Sequence, residues 1–231
     1  MKEGTLSLYS LLLQHYFSIN NVQFIKKGSL LFQEGDPVSN IYLLLEGTLS
    51  VGRIHENGKE FIMKILHEED LLLEYLLFKQ SPKYYHFART ITDCELLIID
   101  RADFEDFALH DHKMLASLTA WLSTGYLKAN IKCQDLIMHG KKGSLYSILI
   151  RLCHSFGKRT ANGILIDFPL THQELANLTF GTREVIQRAM KELRDGGIIS
   201  ISSQKITVKD LAFLKKAVDC QNCPIEICGL N

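Results

Sequence analysis

The chain has 231 residues, of which 46% are hydrophobic and 23% charged, and its formal net charge is zero. This composition is typical of a globular protein with one large domain or two smaller ones. No apolar run approaches the roughly 18 residues of a membrane span, and the first residues lack the apolar core and cleavage site of a secretory signal. The sequence therefore predicts a cytoplasmic protein without a membrane partner.

The charge is distributed unevenly along the chain. Residues 141–216 contain 13 Lys and Arg against 6 Asp and Glu, whereas residues 1–140 contain 13 against 18. A basic excess attracts phosphates and an acidic excess repels them. The later segment is therefore the candidate for contact with nucleic acid, although a solvated surface gives the same excess.

Between Val22 and Asp106, short apolar runs alternate with turn signals such as Gly-Asp-Pro, Asn-Gly and Glu-Asp. This spacing predicts antiparallel strands in a sandwich or barrel. Within it, HENGKE is a hairpin signal, because Asn57 and Gly58 can both adopt positive φ.

Helical periodicity begins at Phe104 and leads into one long predicted helix. Its apolar residues advance by 3, 4, 7 and 7 positions, which is the spacing of a coiled-coil seam. They are Leu115, Leu118, Leu122, Ala129 and Leu136. About 28 residues from Asp111 would form a rod about 42 Å long, which favours a dimer spine over a helix packed within its own domain.

The basic segment predicts a helix-turn-helix followed by a hairpin. Thr171 and Glu174 have the spacing of a capping box at the start of a first short helix. Gly181 marks a tight turn, and Thr182 is a good N-cap for a second helix that ends at Gly196. The sequence IISISSQKITV then predicts the hairpin that would serve as a wing.

The start of the second helix carries the candidate DNA-binding residues Arg183, Glu184, Gln187 and Arg188. In this motif that end of the helix enters the major groove. Arginine can bind guanine O6 and N7 with two hydrogen bonds, and glutamate can accept one from cytosine N4. We expect Lys205, in the wing, to contact a phosphate. These residues alone also fit an ordinary exposed helix with surface charges.

In that order and over nearly the whole chain, these elements resemble a transcription regulator of the CRP/FNR superfamily. GSLLFQEGDPVSNIYLLLEGTLSV is similar to the first part of the family's β-roll, and THQELANLTFGTREVIQRAMKELRDGGII resembles its DNA-reading segment. The resemblance implies an α+β fold in four parts: a cyclic-nucleotide-binding-like β-roll (a jelly roll) at 1–108, a dimerisation helix at 109–140, a winged helix-turn-helix at 141–214 and a cysteine-rich tail at 215–231.

The resemblance also implies partners. It implies a homodimeric activator that binds double-stranded DNA at a palindromic promoter site resembling TGTGA-N6-TCACA and works with RNA polymerase. The base contacts carry over onto Arg183, Glu184 and Arg188. Since the sequence contains no paired acids, nucleophile triad or phosphate loop, we expect no enzymatic activity.

The family's cyclic-nucleotide pocket uses a Gly-Glu pair and an Arg-Ser or Arg-Thr pair, the latter binding the cyclic phosphate. This chain keeps Glu74 but has Leu73 before it, and Tyr84 and Tyr85 stand in place of the second pair. A phosphate without a cation and short donors would lose its charge-assisted hydrogen bonds. We therefore expect the protein not to bind cyclic AMP.

The last thirteen residues, DCQNCPIEICGLN, contain three of the six cysteines: Cys220, Cys223 and Cys228. In a reducing compartment, clustered thiols indicate metal binding or redox chemistry. The spacing alone is compatible with an iron–sulfur cluster, with zinc completed by a histidine, or with no metal. Cys94 and Cys153 lie in apolar stretches, where we expect small buried side chains.

The tail resembles that of the Bacillus-type FNR branch, in which cysteines at the extreme C-terminus hold a 4Fe-4S cluster. This resemblance implies an oxygen-responsive regulator of anaerobic metabolism with Cys220, Cys223 and Cys228 as cluster ligands. The branch's fourth ligand is an aspartate near the end of the dimer helix, which corresponds to Asp135, and Cys133 competes with it.

Two other functions stay open. One is a regulator of the same fold controlled by a small ligand in the β-roll, as in regulators of the PrfA kind, with the tail cysteines binding zinc or nothing. The other is a thiol oxidoreductase using Cys220 and Cys223. It is weaker, because that motif normally opens a helix in a βαβ setting and the sequence offers none.

Overall fold

In a computed structural model of the chain, the described residues are 7–18, 21–56, 58, 60–168, 170–179, 181–202, 204–220, 222–224 and 226–229. They form two compact units that divide between Ser123 and Thr124. No helix among these residues is long and apolar enough to cross a membrane.

The first unit begins with a short helix, α1 (Leu8–Tyr16), and continues with strands that form two antiparallel four-stranded sheets. The strands are β1 (Val22–Ile25), β2 (Leu30–Phe32), β3 (Asn40–Glu46), β4 (Leu49–Ile54), β5 (Glu60–Leu66), β6 (Leu71–Leu72), β7 (Phe87–Thr90) and β8 (Cys94–Asp100). The sheets have the strand orders β1-β8-β3-β6 and β2-β7-β4-β5. The predicted β-roll is therefore confirmed.

The predicted hairpin joins β4 to β5, with Ile54 opposite Glu60. Gly58 has a φ of 78°, the left-handed region that glycine adopts without strain. Asn57, the other residue of the hairpin signal, lies outside the described residues.

The core of the first unit also receives side chains from the helices that follow β8. These helices are α2 (Arg101–His110) and the beginning of α3 (His112–Phe156). Phe104, Met114 and Leu118 are buried together with the apolar strand residues. Leu118, which the heptad spacing assigned to the coiled-coil seam, is 2% exposed and packs instead in the core of the first unit. Leu115 and Leu122 of the same seam are exposed.

Helix α3 is interrupted at Gly140, whose φ of 62° and ψ of −166° are not helical. A residue with a Cβ is strained at this φ, whereas glycine is not. The predicted boundary between the dimerisation helix and the winged domain falls at this glycine. The compact units divide earlier within α3, between Ser123 and Thr124.

The second unit contains the rest of α3 and a winged helix-turn-helix. Its further elements are β9 (Gly157–Thr160), β10 (Gly163–Ile166), α4 (His172–Leu178), α5 (Arg183–Asp195), β11 (Ile199–Ser202), β12 (Lys205–Val208) and α6 (Leu211–Ala217). The four strands form one sheet with the order β11-β12-β10-β9, which is antiparallel throughout. The predicted α+β fold, with a winged helix-turn-helix after the long helix, is confirmed.

Candidate DNA-binding helix and cysteine-lined cavity

Helices α4 and α5 begin at the residues that the sequence predicts. Thr171 Oγ1 accepts a hydrogen bond from the Glu174 backbone N–H at 3.2 Å, and the Glu174 carboxylate accepts one from the Thr171 N–H at 2.7 Å. This reciprocal pair satisfies two backbone donors at the helix start. Thr182 Oγ1 accepts from the Val185 N–H at 3.5 Å and caps α5.

The turn between α4 and α5 is compact at Gly181. Its N–H donates to the carbonyl of Ala176 at 2.8 Å. A Cβ at this position would lie 3.1 Å from Thr179 Oγ1 and 3.5 Å from the Ile186 side chain. Glycine suits this position because it has no Cβ, for which the neighbouring side chains leave little space.

Helix α5 has one buried and one exposed face. The apolar side chains on the buried face follow the helical repeat and are Ile186, Ala189, Met190 and Leu193. All four predicted base-reading residues are exposed: Arg183, Glu184, Gln187 and Arg188. The first turns of α5 thus present two guanidinium groups, a carboxylate and an amide to solvent, the groups that hydrogen-bond to base edges.

Lys205, at the start of β12, belongs to an ion-paired cluster of three side chains. Asp167 accepts from both Lys158 and Lys205. The hydrogen bonds and charges of these two lysines lower the pKa of Asp167 to about 2. The phosphate contact predicted for Lys205 stays a prediction, and it would have to compete with this pairing.

In the tail (residues 215–231), hydrogen bonds are made by the backbone at Cys220 and at Cys228. The Cys220 N–H donates to the Lys215 carbonyl at 2.9 Å, and the Cys228 N–H donates to the Pro224 carbonyl at 3.0 Å. His154 Nδ1, on α3, lies 3.0 Å from the carbonyl oxygen of Cys228. Cys220 is thus linked to α6 through Lys215, and Cys228 is linked to α3 through His154.

The four predicted cluster ligands line one cavity of about 220 Å³. Cys220, Cys223 and Cys228 approach it from the tail and Asp135 approaches it from α3. Cys133, the competing fourth ligand, is exposed and is not among the lining residues. No three His, Cys, Asp or Glu side chains of the described residues are close enough together to hold a metal ion.

A partly buried ion pair, which the sequence did not lead us to expect, forms part of the cavity wall. Arg151 Nη2 donates to Asp135 Oδ2 at 2.6 Å, and the Arg151 side chain is 4% exposed. Its Nη1 is buried and has no hydrogen-bond partner among the described residues. The signal in the sequence was an arginine inside the apolar helical run ILIRLCHSF.

The remaining buried thiols have the environment expected of them. Cys94 and Cys153 are both buried, as predicted. Burial raises the pKa of Cys153 to about 12 and also raises the pKa of Cys94. These two thiols therefore stay protonated at neutral pH and are poor nucleophiles and poor metal ligands. Burial also raises the pKa of Cys228, while the charge of Arg151 acts to lower it.

In the β-roll, the Glu74 carboxylate has two side-chain partners, Lys64 and His86. Lys64 Nζ donates to Oε1 at 2.6 Å, and His86 Nδ1 lies 2.6 Å from Oε2. Burial acts to raise the pKa of Glu74, but the hydrogen bonds from His86 and Lys64 outweigh it and lower that pKa. Tyr84 is buried, stacks on Phe32 with 3.6 Å between ring centroids, and donates to the Asn40 carbonyl at 2.6 Å.

A β-roll, a long helix and an exposed recognition helix define a DNA-binding transcription regulator. Residues 22–111 match the family model of the cyclic nucleotide-binding domain, and residues 145–217 match that of the Crp-like helix-turn-helix domain. The chain belongs to the CRP/FNR family of transcription regulators.

Curated relatives support this assignment over most of their length. The chain is 36% identical to the "Anaerobic regulatory protein" of Bacillus subtilis, covering 93% of this chain and 90% of that protein. It is 33% identical to the "Global nitrogen regulator" of a Synechocystis species, covering 84% and 87%. The relatives are named as regulators, in agreement with the prediction that the chain is not an enzyme.

Solved structures share the fold at low sequence identity. FixK2 from Bradyrhizobium japonicum has a TM-score of 0.74 at 17% identity, covering 85% of this chain and 96% of its own. A CooA mutant from Carboxydothermus hydrogenoformans has a TM-score of 0.74 at 19% identity, covering 93% and 97%.

Proposed function

We propose that this regulator responds to oxygen and controls anaerobic metabolism through a 4Fe-4S cluster held by Cys220, Cys223, Cys228 and Asp135. The observation that carries the proposal is that all four side chains line one cavity. The identity of 36% with a protein named "Anaerobic regulatory protein" supports the physiological part.

The side chains around the cavity fit such a cluster chemically. Thiolates are the usual ligands of iron–sulfur clusters, and a carboxylate is a harder donor that suits them less well. A site with one carboxylate would therefore lose its metal more readily than a site with four thiolates. The buried guanidinium of Arg151 offers positive charge at a site where thiolates would gather negative charge.

The positions of the four proposed ligands in the chain suggest a link between the site and DNA binding. The ligands belong to two segments, α3 and the tail, so a site that uses all four ties the tail to α3 beside Asp135. The tail begins in α6, which follows wing strand β12 directly. A bound 4Fe-4S cluster would supply oxygen sensitivity, because oxygen oxidises and dismantles such clusters. Without a cluster, the tail would contact α3 only through the protein's own interactions, such as the one between His154 and the Cys228 carbonyl.

We also propose that the protein binds DNA as a homodimer through α3. This helix exposes large apolar side chains that a partner helix would cover, namely Leu115, Leu122, Tyr126, Leu127, Ile137 and Met138. A two-fold dimer presents its recognition helices about 34 Å apart, one turn of DNA. The site would then be a palindrome resembling TGTGA-N6-TCACA in a promoter, where the bound dimer works with RNA polymerase.

Cyclic AMP is not the proposed signal. The carboxylate that the family uses in its nucleotide pocket, Glu74, is hydrogen-bonded to Lys64 and His86. Tyr84, at the position of the phosphate-binding arginine, is buried and stacked on Phe32. A cyclic phosphate would find no arginine there.

The test is the metal content of protein purified without air. We expect iron and acid-labile sulfide together with broad visible absorption in the wild type, and their loss in Cys220→Ser, Cys223→Ser and Cys228→Ser. Cys94→Ser is the control and should keep the iron, because that thiol is buried in the β-roll and lies outside the cavity.

The alternatives give different results in the same experiment. Bound zinc without sulfide would contradict the cluster and favour a zinc site. Protein without any metal would favour control by a small ligand in the β-roll. Iron retained in all three tail variants would remove the tail cysteines as ligands.

A further inference from the structure

Arg151 is a buried cation in the wall of the cysteine-lined cavity. The residue is 3% exposed and lies on α3 after Gly140. Nη2 donates to Asp135 Oδ2 at 2.6 Å, whereas Nη1 is buried without a hydrogen-bond partner among the described residues. Asp135 is thus bonded to one side of the guanidinium fork only.

A buried guanidinium needs partners for both its charge and its donors. Arginine stays charged in proteins and presents its five N–H groups in a rigid planar fork. Taking this charge out of water is costly unless it is paired and its hydrogen bonds are made. Asp135 balances the charge, but Nη1 remains. Because nearly all buried donors in folded proteins have a partner, the second nitrogen indicates an acceptor that completes this site.

The cavity itself indicates what that acceptor is. Three thiols, Cys220, Cys223 and Cys228, line it together with Arg151. Thiolate and sulfide sulfur atoms accept hydrogen bonds, and such bonds, together with net charge, set the reduction potential of iron–sulfur groups. A ligating carboxylate is itself normally oriented by a hydrogen bond from a neighbouring residue. Arg151 meets both requirements through its two terminal nitrogens.

We propose that Arg151 is a positioning residue of the cluster site. Its Nη2 holds Asp135 so that the other carboxylate oxygen is free to bind iron, and its Nη1 donates to sulfur of the bound group. This inference rests on the proposed function. Its positive charge favours the reduced, more negative form of the group, which raises the reduction potential and slows attack by oxygen.

The test uses Arg151→Gln, which removes the charge, and Arg151→Lys, which keeps the charge but loses the fork. Arg194→Lys is the matched control, since Arg194 is exposed on α5 and pairs with Asp195. Each full-length protein is purified without air. The measurements are iron and sulfide content, midpoint potential, the rate of iron loss to a chelator, and thermal unfolding of the metal-free form.

We expect Arg151→Gln to lose iron about tenfold faster or more, as is typical when a residue that orients a ligand is removed. Its midpoint potential should be more negative than that of the wild type. Arg151→Lys should lie between the two, and Arg194→Lys should match the wild type.

Each other outcome overturns the inference. If both Arg151 variants keep wild-type potentials and iron-loss rates while their metal-free forms unfold at lower temperature, Arg151 is only a structural ion pair. If Arg151→Gln does not fold, an unchanged potential and iron-loss rate in Arg151→Lys overturns it. A wild type without iron and sulfide overturns the proposed function as well, whereas a loaded wild type with unaffected variants overturns this inference alone.

Discussion

Asp135 and Cys133, the two candidates for the fourth ligand, lie on different faces of α3. Asp135 lines the cavity and is bonded to Arg151, whereas Cys133 is exposed. Two residues apart on a helix with 3.6 residues per turn, their side chains point in directions about 160° apart. A thiolate is the softer donor for iron, but a donor on the wrong face of α3 cannot use that advantage. We therefore expect the carboxylate to be the fourth ligand.

Asp135→Ala should leave a cluster that is absent or unusually labile, because one of its four ligands is gone. Cys133→Ser should retain iron as the wild type does. The measurement is iron and sulfide per chain directly after anaerobic purification and again after exposure to a chelator. The opposite pattern, with Cys133→Ser labile and Asp135→Ala normal, would make Cys133 the fourth ligand and contradict the assignment to Asp135.

Arg188→Ala should weaken binding to the specific site about tenfold or more, since a bidentate contact to guanine discriminates by about 1–3 kcal/mol. It should also relax base preference at one symmetric pair of positions. Arg194→Ala is the matched control, because Arg194 is exposed in the last turn of the same helix. Anaerobic selection from a randomised operator library measures both effects. Uniformly weaker binding with intact sequence preference in Arg188→Ala would make Arg188 a backbone contact.

At the scale of elements, the sequence predicted the helix starts correctly, because these are determined by interactions between residues close together in the chain. The capping box of Thr171 and Glu174 and the N-cap at Thr182 involve residues at most three positions apart, and the sequence was sufficient to find them. The burial of Leu118 depends on the apolar core of the β-roll, which heptad spacing does not encode. The pairing of Arg151 with Asp135 depends on how α3 continues past Gly140.

Leu122→Glu should convert the dimer to monomers. Leu122 is 42% exposed on α3, and an apolar contact across a two-fold axis would bring the two introduced carboxylates together. Analytical ultracentrifugation at micromolar concentration measures the change. Phe24→Glu is the control, since Phe24 is exposed on strand β1 of the first unit. A Leu122→Glu protein that stays dimeric would show that this side chain is not in the interface.

At the scale of the whole molecule, the sequence places different tasks in different segments. The segment with the basic excess, residues 141–216, contains the winged helix-turn-helix. Residues 1–140, which have an acidic excess, contain the β-roll. The family could be recognised from the order of these elements and from the recognition helix. Whether the tail cysteines hold iron cannot be inferred from the fold, because proteins with the same fold respond to different signals. It depends on the side chains of the site itself.

The most direct test of the account is binding of a labelled palindromic operator, measured by fluorescence anisotropy without air and again after exposure to air. We expect the wild type to bind tightly without air and at least about tenfold more weakly afterwards, within the usual range of coupling between two sites. The variant Cys220→Ser should bind weakly in both conditions. Equal affinity of the wild type before and after air, with Cys220→Ser binding as tightly, would contradict the proposal that a cluster in the tail controls DNA binding.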